Sequence, residues 1–182
     1  MPKCAQTTDR LSGFIDNNSG YLNEAGTHLL VELLDHLKLG QWGDAFVPLK
    51  KCGVHCAIEL IIICEKKVLL TWRNDRYFKG WHTPGSYLDQ GESWQDAATR
   101  CAWKEISARV HVIQDLKTFN NTDNSRFHDQ TTLLLCSLAG DKPKMGQWFA
   151  ECPPDLIYPH KKYWPIIATI ITPFEVNMHM SV

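Results

Sequence analysis

The sequence predicts an α/β fold, and three observations carry that prediction. Two apolar, β-rich runs stand back to back between residues 56 and 72, a glycine-rich loop then leads into an acidic helical window, and further strand-like segments precede a closing helix. At 182 residues the chain accommodates one domain of ordinary size with an extension, but not two full domains. The pattern places an N-terminal arm and helix in residues 1–45 and the domain in residues 46–182.

Residues 1 to about 20 are polar and rich in Thr, Asn, Ser and Gly, the composition of an arm rather than of a packed element. Leu29, Leu30, Leu33, Leu34 and Leu37 then recur at spacings of three and four, which predicts an amphipathic helix ending near Gly40. Its apolar stripe needs cover, either from the domain or from a second copy of the chain, so a homodimer is an expected partner.

Cys56 to Cys64 is rich in isoleucine, and its apolar run from Ala57 is interrupted only by Glu59. After the turn-like Glu65-Lys66-Lys67 the chain resumes as Val68-Leu69-Leu70-Thr71-Trp72, so two adjacent strands are predicted. A loop punctuated by Gly and Pro follows. A helical window runs from Gly91 to about Ser107, strands are expected near 109–118 and 131–138, and a final helix after Pro153-Pro154.

Charge and composition exclude several classes of partner. With 19 basic and 20 acidic residues the net charge is -1, so no global field attracts a nucleic-acid backbone or an anionic membrane. The longest apolar runs fall well short of the ~20 residues that span a bilayer. Seven cysteines form no repeating framework and the N-terminus has no apolar signal core, which points to a cytoplasmic protein.

The chemistry is concentrated in Gly80-Trp81-His82-Thr83-Pro84-Gly85-Ser86-Tyr87-Leu88-Asp89-Gln90-Gly91-Glu92-Ser93 and the helical stretch from Trp94 to Ser107. Glycines let the backbone approach a ligand closely, and a helix start offers free N–H groups, so this segment suits a polar or ionic ligand. A tryptophan, then Pro84-Gly85, Gly91-Glu92-Ser93, Ala97-Ala98, and Arg100 eight residues after Glu92 together resemble the Nudix box. The resemblance extends over roughly residues 50–160 and includes Gln147-Trp148-Phe149 ahead of the last helix.

That resemblance implies a Nudix-like α/β/α sandwich with a mixed sheet. It further implies a hydrolase of a nucleoside diphosphate derivative, such as a nucleotide sugar, working with magnesium. Glu92 and Arg100 match the family's structural ion pair, with Gly91 part of the same motif. Glu105 matches the last metal-binding glutamate and acts as a catalytic residue, and the carbonyl of Gly85 matches a second metal ligand.

Two metal-binding glutamates of the family pattern are replaced, by Cys101 and Lys104. Positions 101, 104 and 105 share a helix face. An ammonium ~5 Å from a divalent cation would be repelled by about 6 to 7 kcal/mol at an effective dielectric near 20, so one metal is expected rather than several. Magnesium tolerates this, because it often uses one or two carboxylates with waters and substrate phosphates. Ser86 and Ser107 stand where the family prefers glycine. Retention of the last glutamate alone resembles the GDP-mannose mannosyl hydrolase branch, which uses a histidine beyond the box; residues 141–147 hold no histidine.

Other residues are weighed against plainer roles. Cys101 sits late in a helix, where the dipole disfavours a thiolate, and reads as packing. Cys52, His55 and Cys56 have ligand-like spacing but lack a fourth zinc partner. His128, beside Asp129, is a candidate base or substrate contact. Trp81 and Tyr87 are candidates to stack a nucleobase, and Arg73 and Arg126 to contact phosphate. The alternative to an enzyme is a catalytically silent Nudix-like module that binds a nucleotide or a protein.

Overall fold

The computed structural model describes residues 12–36, 53–75, 77–122 and 128–172. Arg126 and Cys52 lie outside the described residues, as does the predicted end of the first helix near Gly40. The chain separates into two compact units, Met1–Gly43 and Asp44–Val182.

In the first unit, helix α1 spans Glu24–Asp35, and Asn23 caps it by accepting a hydrogen bond from the Gly26 amide. The side chains of Leu29, Leu30, Val31, Leu33 and Leu34 are each 39 to 58% exposed.

The second unit is built on a seven-stranded sheet. Its strands are β1 (His55–Cys64), β2 (Lys67–Asn74), β3 (Lys79–His82), β4 (Gly85–Tyr87), β5 (Val110–Asn121), β6 (Asp129–Leu138) and β7 (Gln147–Phe149). The main path runs β3-β2-β1-β6-β5, with β4 paired to β1 and β7 to β2. Only β1 and β6 run parallel, so the sheet is mixed, as expected. The predicted Gly/Pro loop is more ordered than its composition suggests: residues 79–87 contribute β3 and β4, pinned between β2 and β1.

The helices of this unit are α2 (Trp94–Ile106), α3 (Tyr158–Lys161) and α4 (Trp164–Ile171). Strand β1 is covered on both faces, which is why it reads as a nearly continuous apolar run. Ile58, Leu60 and Ile62 pack with Ala97, Ala98, Cys101 and Ile106 of α2. Ile61 joins Val68, Leu70 and Leu133 under Ile167 and Ile171 of α4. The result is the expected α/β/α layering, and each fully buried aliphatic side chain contributes about 1.5 to 3 kcal/mol. Glu59 occupies the alternation next to Ile61, a carboxylate set into a buried strand.

The turn between β1 and β2 is a two-residue loop, Glu65-Lys66, with φ of 48° and 60°. Two successive positive φ values match the twist of the flanking strands, although neither residue is the usual Asn or Gly.

Candidate active site

Three elements converge at Gly85. Strand β4 pairs with β1 so that Gly85 lies opposite Glu59, and the preceding Pro84 carbonyl accepts the Leu60 amide at 2.8 Å. A Cβ at position 85 would overlap the Glu59 carboxylate, so glycine leaves that carboxylate in its present place, whereas a larger residue would displace it. The Gly85 amide donates to Glu105, in the last turn of α2. One carboxylate from the sheet and one from the helix therefore meet at a single glycine.

A threonine and a histidine back each carboxylate. Thr83 Oγ1 lies 2.5 Å from Glu59 Oε2, and His160 Nε2 lies 3.5 Å from Glu59 Oε1. The Thr83 amide donates to His160 Nδ1 at 3.2 Å, which makes Nδ1 the acceptor and assigns the ring proton to Nε2, facing Glu59. In the second set, Thr71 Oγ1 donates to Glu105 Oε2 at 3.2 Å and lies 3.0 Å from His82 Nε2. His82 Nε2 is 3.9 Å from the same Glu105 oxygen. The two imidazoles meet edge to face with centroids 5.9 Å apart, joining the two sets.

Burial governs the electrostatics. It pushes Glu59 well above the usual carboxylate range, and the Glu105 charge adds to that rise. Glu105 is also raised by burial, against the hydrogen bonds from Thr71 and Gly85. Burial lowers His82 to about 4 and takes His160 well below its ordinary value, so both imidazoles are neutral at pH 7. Among the described residues no Lys or Arg nitrogen lies within 4 Å of either carboxylate; their ion-pair contacts are with His160 and His82 alone. Arg73 acts on all four groups through its charge but binds Asp75 at 2.6 Å and lies over the Phe78 ring.

Among the described residues no group of three or more His, Cys, Asp or Glu side chains is arranged to hold a metal. Two facing carboxylates without a cationic partner, cradled by a glycine, instead fit a hard ion that takes few protein oxygens and completes its shell with water and phosphate. Magnesium has that habit. Zinc at Cys52, His55 and Cys56 gains no support: His55 is half-buried, Cys56 is exposed and Cys52 is outside the described residues.

The loop–helix junction is held by Arg100. Its Nε donates to Glu92 Oε1 at 2.6 Å, and Nη2 donates to Glu92 Oε2 at 2.7 Å and to the Tyr87 carbonyl at 2.9 Å. Ser86 accepts a fourth bond from Nη1 at 3.1 Å, so the residue replacing the family glycine joins the scaffold. Gly91 turns the loop with φ of 80°. Asp96 closes a capping box with Ser93, where its carboxylate satisfies the Ser93 amide and hydroxyl.

The other predicted residues are dispersed. Cys101 is buried and its thiol is pushed far up by desolvation, which suits packing rather than nucleophilic attack. Lys104 is exposed, so its charge acts on the site through solvent. Trp81 packs edge-on against Trp72 and Phe149, centroids 5.2 and 4.9 Å away. The Tyr87 hydroxyl lies 3.5 Å from buried Asp129. His128 is exposed just before β6, its carbonyl accepting the His55 amide at 3.4 Å. Since His55 precedes Glu59 by four strand residues, His128 is set back about 13 Å along the strand.

Sequence reasoning overlooked Glu59, Thr71, His82, Thr83 and His160 as a group. Their one local signal is Glu59, the lone charge in the isoleucine-rich run; the histidine–threonine pairings depend on chain separations of 11 and 77 residues.

The NUDIX domain family model matches residues 55–167. No curated protein matches the chain by sequence. Similar solved structures include a NUDIX hydrolase from Nitrosomonas europaea, 19% identical with a TM-score of 0.54, covering 64% of this chain and 72% of that one. An ADP-ribose pyrophosphatase from Streptococcus suis is 20% identical with a TM-score of 0.51, covering 68% and 95%. A UDP-X diphosphatase is 14% identical with a TM-score of 0.54, covering 91% and 78%. At these identities the likeness shows the fold.

Proposed function

The chain belongs to the Nudix family, and from that premise we propose that it hydrolyses a nucleoside diphosphate derivative, with nucleotide sugars as the leading substrate class and magnesium as the cofactor. The observation that carries this reading is the placement of Glu105, half-buried in the last turn of the box helix and hydrogen-bonded to the Gly85 amide. The presence of an ADP-ribose pyrophosphatase and a UDP-X diphosphatase among the structurally similar proteins supports a diphosphate substrate.

Glu105 and the Gly85 carbonyl would hold the cation, which supplies Lewis-acid polarisation of the diphosphate and an acidified water. Thr71 fixes the Glu105 carboxylate by donating to Oε2, and neutral His82 holds Thr71 from behind. Arg73 supplies positive charge toward the carboxylates and is the proposed phosphate contact among the described residues. Tyr87 and His128 flank the β1–β6 end of the sheet as proposed contacts to the remainder of the substrate, with Trp81 as wall rather than stacking platform. Replacing Glu105 by Gln keeps the shape and removes the charge; metal-dependent turnover should be lost, and full retention would reject the assignment.

A second reading is favoured by one observation, the replacement of two box glutamates by Cys101 and Lys104. It makes the domain a silent module that binds a nucleotide or a protein. Ligand binding to the native state raises apparent stability. Magnesium-dependent thermal stabilisation by ADP-ribose or GDP-mannose without turnover of either would favour that module, whereas stabilisation with turnover would favour the hydrolase. Self-association through the exposed leucines of α1 is compatible with both, and a monomer in sedimentation at micromolar concentration would exclude it.

A further inference from the structure

We infer that Glu59 of β1 stands in for the helix carboxylates this chain lacks at positions 101 and 104, so that the divalent cation is held between Glu59 and Glu105. The inference extends the metal-dependent reading above and concerns only how the chain binds the ion.

Three features of the molecule support it. Gly85 brings the two carboxylates together: its amide binds Glu105, and its missing Cβ leaves the space that the Glu59 carboxylate enters. A threonine hydroxyl also holds each carboxylate in place, Thr83 Oγ1 at 2.5 Å from Glu59 Oε2 and Thr71 Oγ1 at 3.2 Å from Glu105 Oε2. Finally, among the described residues no Lys or Arg nitrogen lies within 4 Å of either carboxylate, so no side-chain cation occupies the place between them.

Two adjacent carboxylates largely removed from solvent are costly unless a cation or proton compensates them. A divalent ion would meet that need with two protein oxygens, within the habit of magnesium. The lost helix carboxylates would then be replaced from the strand across the site, with Thr83 and Thr71 orienting the two donors.

The test is Mn2+ binding by the full chain without nucleotide, followed by electron paramagnetic resonance and calorimetry. Glu59→Gln should weaken binding about 100-fold or more, since even outer partners of metal ligands contribute about 10 to 100-fold. Adding Lys104→Glu to Glu59→Gln restores a box carboxylate and should recover most of the affinity. Wild-type affinity in folded Glu59→Gln would overturn the inference. If that variant does not fold, infrared difference spectra of wild-type protein labelled with 13C at the glutamate carboxyls decide: two shifted carboxylate bands on adding Mg2+ support the pair, and one overturns it. Glu59-dependent metal binding without hydrolysis of any substrate would leave this inference standing and reject the hydrolase reading.

Discussion

His82 shows how the site converts burial into a chemical state. Its ordinary value near 6.5 falls to about 4, chiefly because the charged form would lose its solvent and secondly because Arg73 repels it. A histidine depressed on folding leaves the unfolded chain binding more protons below pH 6.5. Its cost to stability therefore appears as pH falls from about 6.5 and is complete near 4. Measured by denaturant unfolding across that window, wild type should lose on the order of 3 kcal/mol relative to His82→Asn, with the two curves parallel above pH 7. Little of this was legible in the sequence. His82 and Thr83 lie inside the quoted motif, yet their partners Thr71, Glu59 and His160 come from other strands and from α3, and no local pattern joins them. Glu105 and Gly85 were legible because the box fixes their spacing.

Helix α2 carries the most predictable local chemistry. Ser93 and Asp96 satisfy its first amides reciprocally, and Arg100 ties its second turn to the preceding loop with four hydrogen bonds. Arg100→Lys keeps the charge but loses the planar fork, and should lower unfolding stability by about 2 kcal/mol in denaturant titration. The helix ends at Ser107 with φ of 52° and ψ of 40°, a left-handed conformation that glycine adopts without a Cβ clash. Ser107→Gly should therefore raise stability by about 1 kcal/mol, read as a higher Tm with an unchanged denaturant slope. Strong periodicity made α2 and the β1–β2 pair legible from sequence. Strands β3 and β4 were not, because at four and three residues they are too short for a pattern and exist through pairing with β2 and β1.

At the scale of the molecule, the sheet brings the Nudix-box loop, a half-buried carboxylate pair and a neutral histidine pair to one place. Two apolar cores, under α2 and under α4, hold the sheet rigid around it. The mixed sheet between helices followed from the motif and the alternation of elements, whereas the β1–β6 parallel pairing that sets back His128 required the tertiary structure. Among the described residues no helix is long and apolar enough to cross a membrane. The most direct measurement is release of phosphate, nucleotide and free sugar from a panel of nucleotide sugars, ADP-ribose and nucleoside triphosphates, with and without magnesium, beside Glu105→Gln. Magnesium-dependent release from a diphosphate-linked compound that disappears in Glu105→Gln is the expected result. Release that persists unchanged in that variant, or ligand-induced stabilisation with no release from any compound, would contradict it.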